Sequence, residues 1–244
     1  MLWMNILTKE NIAIVIPIYK EFLSKNEQIS LRQCKKILGK YVVYFIHPKG
    51  MNLANYFIEI SNAKTLEFEN FYFADVQGYS QLMLSPFFYK KFFSYRYILV
   101  YQLDAFVFSD DLLVWANKNY DYVGAPWLTA PPLSKGKPLV NMSSWFINKV
   151  GNGGFSLRKV KSHYFNTLIF RPLLRYFIKN EDMFWGLLLY WLNPFFKRPN
   201  AKDALFFAFE MEPRKSFEIT NHKLPFGVHA WEKYDPVFWQ ELIK

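Results

Sequence analysis

The sequence predicts an α/β fold in which a central mixed, mostly parallel sheet is flanked by helices. Three observations carry that prediction. Residues 12–18 and 41–46 are short, β-branched and apolar, and between them lies a stretch with the marks of a helix, so the three read as one βαβ unit. Residues 97–101 form a further apolar run, after which Asp104 stands alone before the apolar pattern resumes. Hydrophobic residues make up 52% of the 244, enough for a sizeable core.

Each element has its own reason. Residues 12–18 read as an interior strand that carries Pro17 near its end and leads to a ligand-facing loop. Ser24-Lys25-Asn26-Glu27 has capping-box spacing, which predicts a helix to about Leu38, ended by Gly39. Residues 41–46 read as a second strand, closed by His47-Pro48-Lys49-Gly50. Residues 65–73 read as a weaker strand and 81–93 as a helix, with Pro86 as an interruption. The strand at 97–101 puts Asp104 beyond a strand's carboxyl end, where open α/β sheets bind ligands. A short helix is expected from Asp111 onward, and residues 131–138, with Pro, Ser and Lys, read as a mobile loop. That loop is too short for a domain linker and there is no internal repeat, so one domain spanning 1–244 is expected.

Bulk composition narrows the function classes. Aromatic residues make up 20%, which predicts ring-rich packing and a ring-lined ligand cleft. The net charge of +10 favours an anionic partner such as a nucleotide diphosphate, a phospholipid surface or a nucleic acid, without choosing among them. A single cysteine, Cys34, excludes an intramolecular disulfide and a thiolate metal cluster, and fits a reducing compartment. Residues 1–10 lack the pattern of a secretory leader, so a cytoplasmic location is expected. Residues 183–196 are apolar but fall short of the roughly 20 needed to cross a bilayer, so they read as a buried helix.

Four motifs carry chemistry. Burying Asp104 is costly unless a cation or several donors meet it, which points to a metal or a sugar hydroxyl; the plainer reading is an Asp that ends a strand. Gly151-Asn152-Gly153-Gly154 would let main-chain amides approach a phosphate or sugar and adopt positive φ, with Asn152 adding directional hydrogen bonds; a tight hairpin is the alternative. Asn180-Glu181-Asp182 reads as a helix start with Asn180 as cap, where the dipole lowers a carboxylate's pKa. If one acid points into a cleft it can take a proton from an acceptor hydroxyl, and Asp182 is the choice. His229 is structural on the plain reading, yet with Asp104 it could ligate Mn²⁺ or a similar ion.

In chain order these marks, Tyr101-Gln102-Leu103-Asp104, Gly151-Asn152-Gly153-Gly154, Asn180-Glu181-Asp182 and Phe226-Gly227-Val228-His229-Ala230-Trp231, resemble a bacterial glycosyltransferase of the GT-A fold. The similarity is to a largely uncharacterised glycosyltransferase family found among surface-polysaccharide genes. It implies a GT-A (Rossmann-like) domain whose residues 1–110 bind a nucleotide sugar and whose residues 111–244 bind the acceptor. It also implies a divalent metal, Mn or Mg, held by Asp104, the last position of a D-x-D signature, and by His229. Pro17, Tyr19, Lys20, Gln102, Asn152, Gly153 and Gly154 would contact the donor, Trp127 and Trp231 the acceptor, and Asp182 with Glu181 would be catalytic. Gln102 departs from the pattern, replacing the first acid with an uncharged amide, so metal dependence is weakened.

The expected activity is hexosyl transfer, with inversion, from a nucleotide diphosphate sugar to a hydroxyl of a surface glycan or a lipid-linked precursor. Peripheral contact with an anionic inner membrane is the expected setting, and no nucleic acid is expected as partner. The rival readings are a noncatalytic glycan- or nucleic-acid-binding module and a nucleotidyltransferase.

Overall fold

The computed structural model describes residues 7–129, 146–176 and 180–243. The expected mobile loop at 131–138 lies outside them. The first half of the chain builds β1 (Ile12–Pro17), α1 (Lys25–Leu38), β2 (Val42–Pro48), α2 (Ala54–Glu59), β3 (Lys64–Phe68), α3 (Val76–Met83), α4 (Pro86–Lys90), β4 (Tyr97–Tyr101), β5 (Phe106–Val107) and α5 (Leu112–Asn117). The second half adds the strands β6 (Tyr122–Val123), β7 (Pro126–Trp127), β8 (Lys149–Val150), β9 (Phe155–Lys159), β10 (Ala208–Phe209) and β11 (Gly227–Val228), with short helices between them.

The central sheet has the order β3-β2-β1-β4-β9-β6. β3, β2, β1 and β4 run parallel, and β9 lies antiparallel to both β4 and β6. This is the mixed, mostly parallel sheet that was expected. Period-two alternation explains why β1 and β4 are apolar throughout. Ile12, Ile14, Ile16, Tyr97, Leu99 and Tyr101 pack on one face with Leu31, Cys34 and Leu38 of α1, while Ala13, Val15, Ile98 and Val100 pack on the other with Leu82, Met83 and Phe88. A strand buried on both sides has no polar side to offer.

The start of α1 is closed as its sequence predicts. Ser24 Oγ accepts from the Glu27 N–H at 3.2 Å, and Glu27 Oε2 accepts from the Ser24 N–H at 2.7 Å. Three other expectations need correction. Residues 81–93 form no single helix, because Pro86 cannot donate an N–H; α3 ends at Met83 and Ser85 caps α4 by accepting from the Phe87 N–H. The strand predicted over 65–73 stops at Phe68 and gives way to a 3₁₀ turn, Asn70–Phe73. Residues 183–196 are not a buried helix throughout: the helical run from Glu181 passes through a π turn at Phe184–Leu188, ends at Leu192, and leaves Trp191 and Phe195 exposed.

Cys34 is buried, and burial pushes its thiol up to about 12, which leaves it unreactive. Among the described residues no helix is long and apolar enough to cross a membrane.

Candidate functional site

Strand pairing brings distant residues to one edge of the sheet. β1 and β4 are neighbours whose connections leave in opposite directions, so a crevice opens at their carboxyl ends, where Pro17 and the Gln102–Asp104 turn lie. Because β9 is antiparallel to β4, with Tyr101 opposite Phe155, its beginning meets the end of β4. The Gln102 N–H donates to the Gly154 carbonyl at 2.8 Å. β5 and β11 pair antiparallel with Phe106 opposite Val228, which sets His229 beside Asp104. β10 runs parallel to β11 with Phe209 opposite Val228, which sets Glu210 beside His229.

His229 is held from both ring nitrogens. Nε2 lies 3.2 Å from Asp104 Oδ1 and 3.3 Å from Gln102 Oε1, and Nδ1 lies 3.0 Å from Glu210 Oε1. Burial by itself lowers the imidazole pKa, but Asp104 and Glu210 outweigh it and raise the pKa to about 10. Burial pushes the Asp104 carboxyl the other way, and His229 overcomes it, so its pKa is lowered. Glu210 has no counterpart in the sequence reading. Its one signal is an acid directly after the apolar pair Ala208-Phe209.

The glycine loop works differently from its expectation. None of its glycines has positive φ; the left-handed residue is Asn152, at φ 68°. Its Oδ1 accepts from the Gly154 and Phe155 N–H groups at 3.0 and 3.3 Å, so that oxygen shapes the turn. Asn152 Nδ2 is buried without a partner and stays available to the cleft. The glycines provide room. A Cβ at 151 would enter the Trp127 ring, one at 153 would meet Glu181 Oε1, and one at 154 would meet both His229 Nε2 and Gln102 Oε1.

Glu181 and Asp182 divide their work. Glu181 Oε1 accepts from Arg158 Nη2 at 2.8 Å in a buried ion pair, and Arg158 also donates to the Gly153 carbonyl, the Tyr89 hydroxyl and Ser156 Oγ. Through Oε1, Glu181 therefore braces β9, the glycine loop and the helix start, while its Oε2 has no hydrogen-bond partner among the described residues. Arg158, a charge within the buried pattern of β9, was not anticipated. Asn180 makes no capping hydrogen bond with its side chain. Asp182 is not lowered by a helix terminus: burial, then Glu181 and Glu210, raise its pKa to about 7. Those nearby negative charges outweigh one short helix end.

Two expected acceptor contacts are core residues. Trp127 is buried against Phe146 and Leu187, and Trp231 packs with Phe106 and Trp239, so neither ring lines the cleft. Pro17, Tyr19, Lys20, Gln102, Asp104, Asn152, Gly153, Gly154, Glu181, Asp182 and His229 all line it, in a volume of about 790 Å³. Lys20 is occupied by Glu27 at 2.7 Å.

The cleft is acidic although the chain is basic. Glu27, Asp75, Asp104, Glu181, Asp182, Glu210 and Glu232 face Lys20 and His229 across it. A diphosphate entering this field is repelled unless a cation accompanies it. Among the described residues no three His, Cys, Asp or Glu side chains form a group that could hold a metal ion. Counting the Gln102 amide oxygen changes the inventory: Gln102 Oε1 and Asp104 Oδ1 both lie within 3.3 Å of His229 Nε2, around a space that a Cβ at 154 would fill. Asp104 Oδ1 is buried with no aligned hydrogen bond, and Glu210 orients the ring from behind as outer carboxylates orient metal-bound histidines. An amide oxygen, a carboxylate oxygen and an imidazole nitrogen are donors that would suit a divalent cation.

A family model described as "Protein of unknown function (DUF5672)" matches residues 62–229. The chain belongs to that family. The matched DUF5672 region contains β4, the glycine loop, the Glu181-Asp182 pair, Glu210 and His229. No curated protein matches in sequence. Among solved structures, the galactosyltransferase LgtC in complex with donor and acceptor sugar analogs aligns over 95% of this chain and 95% of its own, with a TM-score of 0.56 at 14% identity. Mouse xyloside xylosyltransferase 1 aligns over 90% and 97%, with a TM-score of 0.53 at 9% identity. The apo-form glycosyltransferase GlyE of Streptococcus pneumoniae TIGR4 aligns over 97% of this chain and 61% of its own, with a TM-score of 0.51 at 12% identity. At these identities the likeness establishes the GT-A fold of this DUF5672 member.

Proposed function

We propose that this protein is a glycosyltransferase that moves a hexose from a nucleotide diphosphate sugar to a hydroxyl of a surface glycan or lipid-linked glycan precursor. The observation that carries the reading is the meeting of Gln102, Asp104 and His229 under the Gly153-Gly154 turn, in a cleft too acidic to take a diphosphate alone. Residues 1–110 provide most of the donor side and 111–244 the acceptor side, with His229 and Glu210 reaching back across.

Asp104, Gln102 and His229 would hold Mn²⁺ or Mg²⁺, His229 through the neutral ring because only that form has a lone pair at Nε2. When bound, the cation neutralises charge on the departing diphosphate. Pro17 and Tyr19 line the nucleotide side and Asn152 Nδ2 is free to donate to donor oxygens. Asp182 takes the acceptor's proton as the new C–O bond forms and the bond from the anomeric carbon to the phosphate oxygen breaks, releasing nucleoside diphosphate. Attack by a separate acceptor on the opposite face inverts the anomeric centre. A pKa of about 7 suits this base, since about half of it is ionised near neutrality and the ionised form is still basic.

The test is thermal unfolding with nucleotide sugars, with and without Mn²⁺. A matching donor at about 100 times its Kd stabilises by about 2.7 kcal/mol, roughly 5–10 °C for a chain of this size. The shift is expected to need the metal and to vanish in Asp104→Ala. A metal-independent shift retained in that variant defeats the reading, and pyrophosphate as the product assigns a nucleotidyltransferase instead.

A further inference from the structure

The positive charge that the cleft lacks lies elsewhere, next to an unusual surface. The helix Val160–Ile169 buries Val160, His163, Asn166 and Thr167, and its outward side carries Phe165, Leu168 and Ile169 beyond Lys161. A helix that faces only water is polar on that side. The short helix Arg171–Leu174 continues the surface, with exposed Arg171, Leu173, Arg175 and Tyr176 at its end. The turn after Leu192 is tied to the same helix, because Asn193 Nδ2 donates to Asn166 Oδ1 at 2.9 Å. This turn and the residues before it hold out Trp191 and Phe195, which are 67% and 85% exposed.

Beside the ridge is a second cleft of about 1070 Å³, lined by Lys149, Tyr190, Lys197, Arg198 and Lys202. Lys149 Nζ sits 4.7 Å and the Arg198 guanidinium carbon 4.9 Å from the Tyr190 ring centre, so cations and ring form one surface. Opposing charge is scarce. From 160 to 202 the only acids are Glu181 and Asp182, which line the other cleft, and Asp203 is the one acid set against Lys149, Lys197, Arg198 and Lys202 in this cleft's lining.

We propose that this face docks on an anionic phospholipid bilayer, with Trp191 and Phe195 entering the boundary between headgroups and acyl chains and Lys149, Lys197 and Lys202 meeting lipid phosphates. Exposed Trp, Tyr and Phe flanked by Lys and Arg match the two attractions of an interfacial surface, apolar burial and charge. The proposal goes beyond glycosyl transfer and stands without it, since vesicle binding is read with no donor present.

The experiment is flotation of the protein with phosphatidylcholine vesicles, with and without phosphatidylglycerol. The parent is expected to float with the anionic vesicles and stay behind with pure phosphatidylcholine. Trp191→Ser combined with Phe195→Ser should lower partitioning more than tenfold, and Lys197→Ala with Lys202→Ala at least fivefold for each charge removed. All four positions are exposed, so an unchanged unfolding midpoint verifies the fold. Equal binding to neutral vesicles, no binding to either, or full binding by the Trp191 and Phe195 double variant overturns the proposal. So does a dimer in solution that this double variant dissociates without any vesicle binding by the parent, which would make the face a contact between copies.

Discussion

Asp182 carries an energetic conflict in a single side chain. Its pKa is raised from 3.8 to about 7 by burial and by Glu181 and Glu210, so the folded state binds its proton more tightly than the unfolded chain does. The sign follows directly: this group costs no stability below about pH 4, and its penalty grows as pH rises through 7. Asp182→Asn removes the ionisation. At pH 8 the variant should melt above the parent, and near pH 4 the two should coincide, as followed by circular dichroism. Its transfer rate should fall by about 10²–10⁴-fold, the usual worth of a positioned base, and the parent's rate should rise through about pH 7. Glu210→Gln should leave the fold intact and weaken Mn²⁺ binding by about 10–100-fold in calorimetry, the typical loss when an outer carboxylate no longer orients a ligating histidine. Asp104 and His229 were legible in the sequence because each interrupts an apolar run. Glu210 was not, since its meaning depends on the parallel pairing of β10 with β11, which brings in a residue 19 positions away.

At the level of elements, local chemistry predicted well where local chemistry decides. The Ser24 capping box acts within a few residues and is realised, whereas Pro86 splits the helix expected over 81–93 into two. Ser24→Ala should cost about 1 kcal/mol in chemical denaturation, the ordinary worth of a cap. The glycine loop was visible as a cluster, but its purpose was not, because the space each glycine leaves is taken by residues from elsewhere in the chain. Trp127 fills one such space, Glu181 another, and His229 with Gln102 the third. Gly154→Ala therefore should fold, as the atoms it meets are the ends of side chains, yet lose the Mn²⁺-dependent part of donor stabilisation in thermal unfolding. The two tryptophans expected at the acceptor failed for a related reason: aromatic character does not say whether a ring lines a cleft or fills a core.

Across the whole molecule, the GT-A arrangement came from the resemblance of the four motifs, whereas the α/β class was legible from the βαβ patterning. The distribution of charge was not. A net charge of +10 coexists with an acidic cleft, because total charge is a sum and carries no positions. The separation has a measurable consequence. Raising NaCl from about 0.05 to about 0.5 M shortens the screening length severalfold, which should strip the protein from anionic vesicles while leaving most of the cation-dependent donor stabilisation, whose charges are in or near contact. Flotation and thermal unfolding on the same samples check both halves.

The pairing of β5 with β11 joins positions 102 and 229, which are 127 residues apart. During translation, Asp104 and its strand are made long before the imidazole exists. A chain synthesised only as far as β5 therefore has the carboxylate without the ring that meets it, and the pair exists only once β11 has been made and has paired.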